Sequence, residues 1–243
     1  MTTLSSSSLS LGESPTEASI AAAANAATSA ALKGGADVRA VAEQLLGWHD
    51  QAVAAVRRRL PLAQALACAP GCAHCCHLKV TVTPLEVLLL AATLRAAPAA
   101  LSRIKRRVKE ADKQTRGKTA DQRLALGLPC PLLDSEGRCV AYDVRPLSCA
   151  GTNSFDADGC RKTLAKETTE PVAHDPVLLR AASAVAAGVT EATFASRRDG
   201  RILELVAALK IALDDPEAKS KWLRGEPVFQ AAVDAEFAAA MEG

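Results

Sequence analysis

The chain has 243 residues, a formal net charge of +2 at pH 7 and only 3% aromatic side chains. This near-neutral balance excludes a general electrostatic attraction to nucleic acid or to an anionic membrane, so any such contact would need a local patch. The abundance of alanine and the scarcity of β-branched residues exclude an all-β fold and favour a mainly α protein.

The N-terminal residues 1–35 are rich in serine and then in alanine, and they contain few large side chains. This composition predicts a disordered or weakly helical leader. The first residues lack the basic segment and apolar core of a secretory signal, and the longest apolar run, 87–97, is too short to span a membrane. We therefore expect a cytoplasmic protein without membrane contact.

Hydrophobic periodicity predicts helices along most of the remaining chain. Apolar residues between 36 and 67 suit one or two amphipathic helices. The stretch Thr83-Pro84-Leu85-Glu86 has the form of a capping box and predicts a buried helix from Pro84 to about Ala97, followed by an amphipathic helix over 99–115. Further helices are predicted at about 176–197, 199–213 and 226–241.

One segment favours β structure. Between 127 and 142, short apolar pairs flank the turn sequence Asp-Ser-Glu-Gly, which predicts a small β-hairpin. The predicted fold is mainly α, an irregular helical bundle with a cysteine-ligated metal knuckle and one short β-hairpin. We divide the chain into the leader at 1–35, a cysteine-cluster metal-binding domain at 36–165, and a C-terminal helical extension at 166–243 that packs on it.

Eight cysteines fall into two blocks of four. The first block, the stretch CAPGCAHCC, contains a Pro-Gly pair that lets successive sulfur atoms turn towards one point. The second block has wider gaps, each containing Gly or Pro, as expected of a loop folded around ligands. In a reducing compartment such clusters indicate metal ligands or redox thiols rather than disulfides. The candidate metal ligands are Cys68, Cys72, Cys75, Cys76, Cys130, Cys139, Cys149 and Cys160.

The sequence leaves several details of such a site open. Cys75 and Cys76 cannot easily both bind one tetrahedral ion, so one of them would serve a second metal or a neighbouring iron, or would remain a free thiol. His74 and His77 flank the ligands and are candidates to replace a thiolate. Two closed four-thiolate sets would favour zinc, whereas the Cys130-Pro131 dipeptide and the adjacent cysteines would favour an iron–sulfur cluster.

The spacing Cys68-x3-Cys72-x2-Cys75 is also that of the cluster loop of radical S-adenosylmethionine enzymes. Those enzymes resemble partial (β/α) barrels, which need alternating strands and helices after the loop. No such alternation is predicted here, so the spacing alone does not identify that class.

The full cysteine pattern resembles a known family. The matching elements are Cys68-x3-Cys72-x2-Cys75-Cys76, Pro129-Cys130-Pro-Leu-Leu-Asp, Gly137-Arg-Cys139-Val-Ala-Tyr142-Asp-Val-Arg145-Pro146-Leu-Ser-Cys149 and Cys160. They are similar to the YkgJ-type cysteine-cluster family of zinc- or iron-chelating domains, over roughly residues 65–165. The resemblance implies a small metal-chelating module. It also implies a kinship in cysteine pattern to flagellin lysine methylases, whose remaining sequence is not found here.

Cations near the cysteines would balance an anionic metal centre. Arg145 lies inside the matched element and is the expected cofactor-binding residue, while Lys79, Arg138 and Arg161 also stand beside the ligands. The basic run 103–123 has nine Lys/Arg against three acidic residues, which indicates either a solvated helix face or a contact for an acidic protein partner. Few aromatic residues accompany this run, which argues against nucleic acid as a partner.

The functional prediction is metal-ion binding, of zinc or of iron including an iron–sulfur cluster, by a non-catalytic metal-handling or structural module. The alternative is an iron–sulfur redox protein or a methylase-like protein-modifying enzyme, so enzymatic activity stays open. An absorbance band that bleaches on reduction, or tight binding of S-adenosylmethionine, would identify the alternative.

Overall fold

The computed structural model describes residues 8–35 and 37–242, and its helices confirm the mainly α fold. The first half of the chain contains α1 (Glu17–Lys33), α2 (Val38–Ala42), α3 (Leu45–Arg57), α4 (Pro84–Arg95), α5 (Pro98–Thr115) and α6 (Ala120–Leu126). The second half contains α7 (Leu147–Gly151), α8 (Ala157–Leu164), α9 (Pro176–Ala195), α10 (Leu205–Asp214), α11 (Ala218–Leu223) and α12 (Ala235–Glu242). Short 3-10 turns lie at His74–His77, which we name the HCCH turn, and at Tyr142–Val144 and Gln230–Ala232; the strands are β1 (Thr81–Val82) and β2 (Leu203–Glu204).

The segment expected to be a disordered or weakly helical leader contains helix α1, which packs along α9. Its buried residues are Ile20, Ala24 and Thr28. The two backbones approach closely at Gly188 of α9, where an added Cβ would lie 2.1 Å from the Ala21 carbonyl oxygen. Disorder is therefore not found over Glu17–Lys33, because small side chains allow close helix packing although they bury little area individually. Residues 1–7 of the expected leader lie outside the described residues.

Helix α4 is central to the core and begins as predicted. The Thr83 hydroxyl accepts a hydrogen bond from the Glu86 N–H, and the Glu86 carboxylate accepts one from the Thr83 N–H at 2.6 Å, which completes the capping box. Helices α2, α5 and α10 pack against α4, so its apolar residues are buried almost all round. The apolar pattern at 36–67 corresponds to α2 and α3, and the helix predicted at 99–115 is confirmed as α5.

The two-stranded sheet lies outside the segment for which a hairpin was predicted. Strand β1 follows the HCCH turn and pairs antiparallel with β2, with Thr81 opposite Glu204. Between 127 and 142 the turn forms, but its ladder is limited to one antiparallel bridge between Leu133 and Cys139. The other backbone groups there bond within the turn or to the first cysteines, so no longer ladder develops.

Helix α9 is long and apolar enough to cross a membrane by length and composition, with a mean hydropathy of 1.3 over its best window. From the sequence this segment was predicted as a helix at about 176–197, not as a membrane span. Half of that window is buried inside the fold, because α1, α3 and α7 pack against α9. These contacts are those of a core helix.

Helix boundaries after the cysteines differ from the predicted ones. The helix expected at 199–213 begins later, because the Glu204 carboxylate caps α10 by accepting hydrogen bonds from the Val206 and Ala207 N–H groups. The helix expected at 226–241 is confined to α12. Helices α6, α7, α8 and α11 were not predicted, since they are too short to show a clear periodicity. The division into three domains stays a prediction.

Candidate metal centre

The first cysteine segment, residues 68–76, forms a tight turn that leads into the HCCH turn. Gly71 has a φ of +88°, a left-handed conformation that glycine adopts without strain, and the Cys72 N–H donates to the Ala69 carbonyl at 2.9 Å. The chain therefore reverses where the Pro-Gly pair predicted it would. Just upstream, the Ala67 N–H donates to the Ser154 carbonyl at 2.9 Å, which ties this segment to a distant part of the chain.

The second cysteine segment, residues 130–160, returns to the first. The Cys130 N–H donates to the Cys76 carbonyl at 2.7 Å, which places the first cysteine of one segment beside the last cysteine of the other. The turn at Gly137 lies over the first segment, since an added Cβ there would be 3.7 Å from the Gly71 carbonyl oxygen. Cys139 comes two residues after Gly137 and forms the antiparallel bridge with Leu133. It therefore lies on the same side of the molecule as the first cysteine segment.

Cys149 and Cys160 are held by short helices. Helix α7 carries Cys149, and the preceding Ser148 hydroxyl donates to the Thr81 carbonyl at 2.7 Å, which fixes α7 against β1. Helix α8 carries Cys160, is capped by the Asp156 side chain, and packs against the HCCH turn. Both helices therefore bring a thiol of the second segment towards the first segment.

Burial is the largest influence on the pKa of the two thiols nearest the core. It raises the pKa of Cys130 to about 11 and raises the pKa of Cys149 well above its ordinary value. Negative charge from other thiols acts in the same direction, with Cys139 beside Cys130, and with Cys130, Cys75 and Cys139 beside Cys149. The Glu86 carboxylate adds to this effect at Cys149. The positive charges of Arg123 and Arg107 oppose part of the rise at Cys130. A bound metal ion would stabilise the charged form of both thiols further.

Cys68 lies nearer the solvent than the other seven cysteines, which are all partly buried. Cys68 is exposed, although partial burial of its sulfur atom raises its pKa, and Cys72, Cys75 and Cys160 are close enough to raise it further when charged. The Sγ atom of Cys68 is 3.9 Å from the Ser154 carbonyl oxygen. The neighbours of Cys68 thus include a cysteine from the far end of the second segment.

Cys75 and Cys76 interact directly with each other. The Cys76 S–H donates a hydrogen bond to the Cys75 sulfur, which lowers the pKa of Cys75 to about 7 and raises the pKa of Cys76. Cys76 is also within electrostatic reach of Cys130 and Cys149. Cys75 is thus near Cys68, while Cys76 is near Cys130 and Cys149.

The two cysteine segments meet through the backbone bond between Cys130 and Cys76, but their thiols do not form a coordination geometry. Among the residues that the structure describes, no three His, Cys, Asp or Glu side chains form a group that could hold a metal ion as they stand. The donor set suits zinc or iron, because thiolates are soft ligands that these metals accept. A buried guanidinium atom, Nη1 of Arg123, has no hydrogen-bond partner among the described residues, as expected beside an anionic centre. Metal binding would require the thiol side chains to turn onto a shared ion.

Arg145, the expected cofactor-binding residue, lies near one of the thiols. Burial raises the pKa of Cys139, and the positive charge of Arg145 opposes this rise. The guanidinium stacks on the Tyr142 ring, 4.2 Å from its centroid, and donates to the Tyr142 carbonyl at 3.1 Å. These contacts hold the charge on the hairpin side of the site.

Lys79, Arg138 and Arg161 are instead paired with carboxylates. The closest carboxylate oxygen atoms belong to Glu236 at 2.5 Å, Glu136 at 2.7 Å and Asp158 at 3.0 Å respectively. Their position beside the ligands in the sequence therefore does not make them counter-charges of the thiolates.

Two other cations do approach the cysteines, and both come from the basic run 103–123. The Arg107 guanidinium donates to the Leu133 carbonyl and, at 3.5 Å, to the Cys130 carbonyl. Arg123 is only 2% exposed, and its charge interacts with Cys130 and with Glu204. The buried end of the second cysteine segment is thus flanked by positive charge.

The sequence offered a signal for only one of these arginines. Arg107 is three residues after Ile104, which lies on the buried face of α5, so helical periodicity places both on neighbouring positions. Arg123 belongs to α6, a helix that was not predicted, and its burial depends on packing that the sequence does not display.

His77 has the tautomer of a potential ligand. Its Nδ1 atom is 3.2 Å from the Ala73 carbonyl oxygen and 3.3 Å from the His74 carbonyl oxygen. Because carbonyl oxygens only accept, Nδ1 carries the proton and the lone pair remains on Nε2. Ligation by His74 or His77 stays a prediction.

Comparison with known families agrees with this part of the chain. Residues 67–171 match the CxxCxxCC family model, described as "Putative zinc- or iron-chelating domain". The matched range contains all eight cysteines, and it confirms the cysteine-cluster family expected from the sequence, although not under the YkgJ name. No curated protein matches the chain significantly. No solved structure does so either.

Proposed function

We propose, because residues 67–171 match the family model of zinc- or iron-chelating domains, that all eight cysteines are metal ligands of a non-catalytic module for metal handling or structural support. The observation that carries the proposal is the meeting of the two cysteine segments at the hydrogen bond between Cys130 and Cys76. Thiols that are far apart in the sequence are thereby available to the same ion.

A structural contribution follows from the elements that carry the thiols. The HCCH turn, the single-bridge hairpin, α7 and α8 are all too short to be stable on their own. A metal ion held by thiols from several of them would cross-link these elements. Thiolate–metal binding of this kind supplies folding free energy on the order of 10 kcal/mol. The proposed metal would therefore hold the central part of the chain together.

The identity of the metal has two candidates. Zinc is favoured by its general affinity for thiolate sites over ferrous iron. An iron–sulfur cluster, and with it a redox role, is favoured by the hydrogen-bonded Cys75–Cys76 pair, because a cluster offers several metal corners at different positions. We retain this redox function as the second candidate.

Anaerobic purification followed by metal analysis and a visible spectrum tests the proposal. We place the protein in the cytoplasm, where thiols stay reduced, so oxygen must be excluded during handling. With four thiolates per ion, we expect about two zinc ions per chain in a colourless protein. Brown protein with iron and sulfide would favour the redox candidate, and a chain that binds neither metal would contradict metal binding altogether.

A partner protein is a separate part of the proposal. Of the basic run 103–123, Arg107 and Arg123 face the cysteines, whereas Arg103, Arg106 and Lys109 are exposed. We retain an acidic protein as their partner. Binding to an acidic peptide that weakens with salt would support this contact, and no binding at low salt would contradict it.

A further inference from the structure

We propose that the C-terminal residues 231–237 clamp together the two stretches of chain that lead to the cysteine segments, with Glu236 as the positioning residue. We name these residues the C-terminal clamp. The inference rests on the proposed function, because it assigns to the clamp the task of holding the cysteine segments together before an ion binds. The clamp lies outside the range 67–171 that the family model matches, so the family description gives it no role.

One carboxylate oxygen of Glu236 joins both stretches of chain. Its Oε2 atom accepts a hydrogen bond from the Lys79 ammonium group at 2.5 Å and another from the Ala120 N–H at 2.9 Å. Lys79 comes three residues after Cys76, the last cysteine of the first segment, and Ala120 begins α6, ten residues before Cys130. Glu236 therefore bridges the chain that leaves the first cysteine segment and the chain that enters the second.

Lys79 contacts a second carboxylate of the clamp. The Asp234 Oδ2 atom lies 2.8 Å from the Lys79 Nζ atom, and the side chains of Asp234 and Lys79 are only 2% and 10% exposed. The other oxygen of Asp234 accepts a hydrogen bond from the Phe237 N–H at 2.9 Å, which fixes the start of α12. An ammonium group with so little access to water depends on its carboxylate partners, because an unpaired buried charge is costly.

The backbone of the clamp is attached to the two-stranded sheet. Val233 forms an antiparallel bridge with Leu203 of β2, and the Asp234 N–H donates to the Ile202 carbonyl at 3.0 Å. Strand β2 in turn pairs with β1, which begins two residues after Lys79. The clamp therefore holds the exit of the first cysteine segment through both backbone and side-chain contacts.

A further contact holds the connection between α5 and α6. The Arg116 guanidinium, just after α5, donates from Nη1 to the Ala231 carbonyl at 2.7 Å and pairs with the Asp112 carboxylate. Arg116 and the Ala120 N–H are the two ends of the connection that leads into α6 and on to the second cysteine segment. Both ends are bonded to the clamp.

These contacts involve no cysteine, so they do not depend on a bound ion. A site whose chain segments are already held together pays less ordering entropy when its ligand binds. The clamp should therefore increase the affinity of the cysteine segments for metal. Coupling between two sites is reciprocal, so an ion that joins the cysteine segments should in turn stabilise the closed clamp.

Glu236→Ala in the full chain is the direct test, with zinc affinity measured by competition with a chromogenic chelator. Loss of the bridging carboxylate should weaken zinc binding about fivefold or more, the lower end of typical coupling between two sites. Glu236→Gln keeps an acceptor for the Ala120 N–H but loses the charge that faces Lys79, so its loss of affinity should be smaller. Unchanged zinc affinity of Glu236→Ala would overturn the proposal.

Two control variants separate positioning by Glu236 from other effects. Glu226→Ala removes a carboxylate of nearly equal exposure, 46% against 45%, that pairs with Arg224 outside the clamp. Gly188→Ala should destabilise the fold at the contact between α1 and α9, which involves no residue of the clamp. Both controls should bind zinc with wild-type affinity. A loss equal to that of Glu236→Ala in either control would show that charge or overall stability sets the affinity, and the role of Glu236 would be wrong.

Hydrogen exchange of wild-type protein tests the clamp without any substitution. The Ala120 amide should exchange slowly even in metal-free protein, and zinc should further slow the amides of Asp234 and Phe237. Exchange of the Ala120 amide at the rate of an unfolded chain, or clamp amides that zinc leaves unchanged, would overturn the proposal. Wild-type protein that binds no zinc would contradict the proposed function, whereas slow exchange at Ala120 would still support the clamp as a structural contact.

Discussion

The Glu86 carboxylate joins the first turn of α4 to Leu147 at the start of α7. Its Oε1 atom accepts a hydrogen bond from the Leu147 N–H at 2.6 Å, while Oε2 accepts from the N–H and the hydroxyl of Thr83 at 2.6 and 2.8 Å. Burial raises the pKa of Glu86, and these bonds oppose that rise. Since Cys149 lies in α7, this carboxylate connects the candidate metal centre to the core helix.

Substitution Glu86→Gln should lower the free energy of unfolding by about 1–3 kcal/mol. The amide nitrogen of glutamine cannot accept a hydrogen bond, so the backbone donor that faces it is left buried and unsatisfied. Denaturant unfolding of the metal-loaded protein measures the change. The matched control is Glu110→Gln, at an exposed residue of α5 that pairs with Lys113, where a change within about 0.5 kcal/mol is expected. Equal effects at the two positions would contradict the structural role of Glu86.

Alanine substitutions at two glycines, one at the contact between α1 and α9 and one on the surface of α3, should change stability in opposite directions. Gly188→Ala places a methyl group 2.1 Å from the Ala21 carbonyl oxygen and should destabilise the protein by about 1–3 kcal/mol. Gly47→Ala, in exposed α3 surface with no atom within 4 Å, should stabilise it by about 0.5–1 kcal/mol through helix propensity. Thermal unfolding of both variants measures the difference. A harmless Gly188→Ala substitution would show that α1 is not packed on α9.

Arg123 should strengthen metal binding through its charge. Replacing the buried guanidinium in Arg123→Gln should weaken zinc affinity about 10–100-fold, because the anionic centre loses a neighbouring cation. Arg123→Lys keeps the charge and should recover part of the affinity. Competition with a chromogenic chelator provides the measurement.

Arg106→Gln is the control for that experiment, since Arg106 is an exposed member of the same basic run. It removes the same charge but should leave zinc affinity unchanged. If the Arg106 and Arg123 variants weaken zinc binding equally, the effect is one of overall charge, and the local role assigned to Arg123 is wrong.

Metal removal should destabilise the protein. A ligand that binds only the folded state, at a concentration of about 100 times its Kd, adds about 2.7 kcal/mol to the free energy of unfolding. Zinc at that concentration should therefore raise the Tm, and a chelator should lower it. The variant C130S/C149S should show a smaller response. An unchanged Tm of wild-type protein with chelator would contradict a structural role of the metal.

Local features were predictable from the sequence. The capping box at Thr83 and Glu86 and the turn at Gly71 depend on residues within a few positions of each other, and both are found. The pairing of β1 with β2 joins Thr81 to Glu204 across about half of the chain, so no local pattern could indicate it.

The surroundings of the cysteines were predicted only in part. Lys79 stands next to the first cysteine segment but pairs with Asp234, whereas Arg123 is distant in sequence and lies beside Cys130. Which cation faces a thiol depends on how α6 and the C-terminal residues pack. Spacing identified the candidate ligands, but it could not reveal that Cys160 lies nearer to Cys68 than its place in the second block suggests.

The most direct test of shared metal binding is alkylation footprinting of the wild-type chain, with each cysteine quantified by mass spectrometry before and after chelation. If both cysteine segments hold common ions, thiols from 68–76 and from 130–160 should be protected in the metal-loaded protein and become reactive after metal removal. Protection confined to one segment, or no change on chelation, would contradict the account.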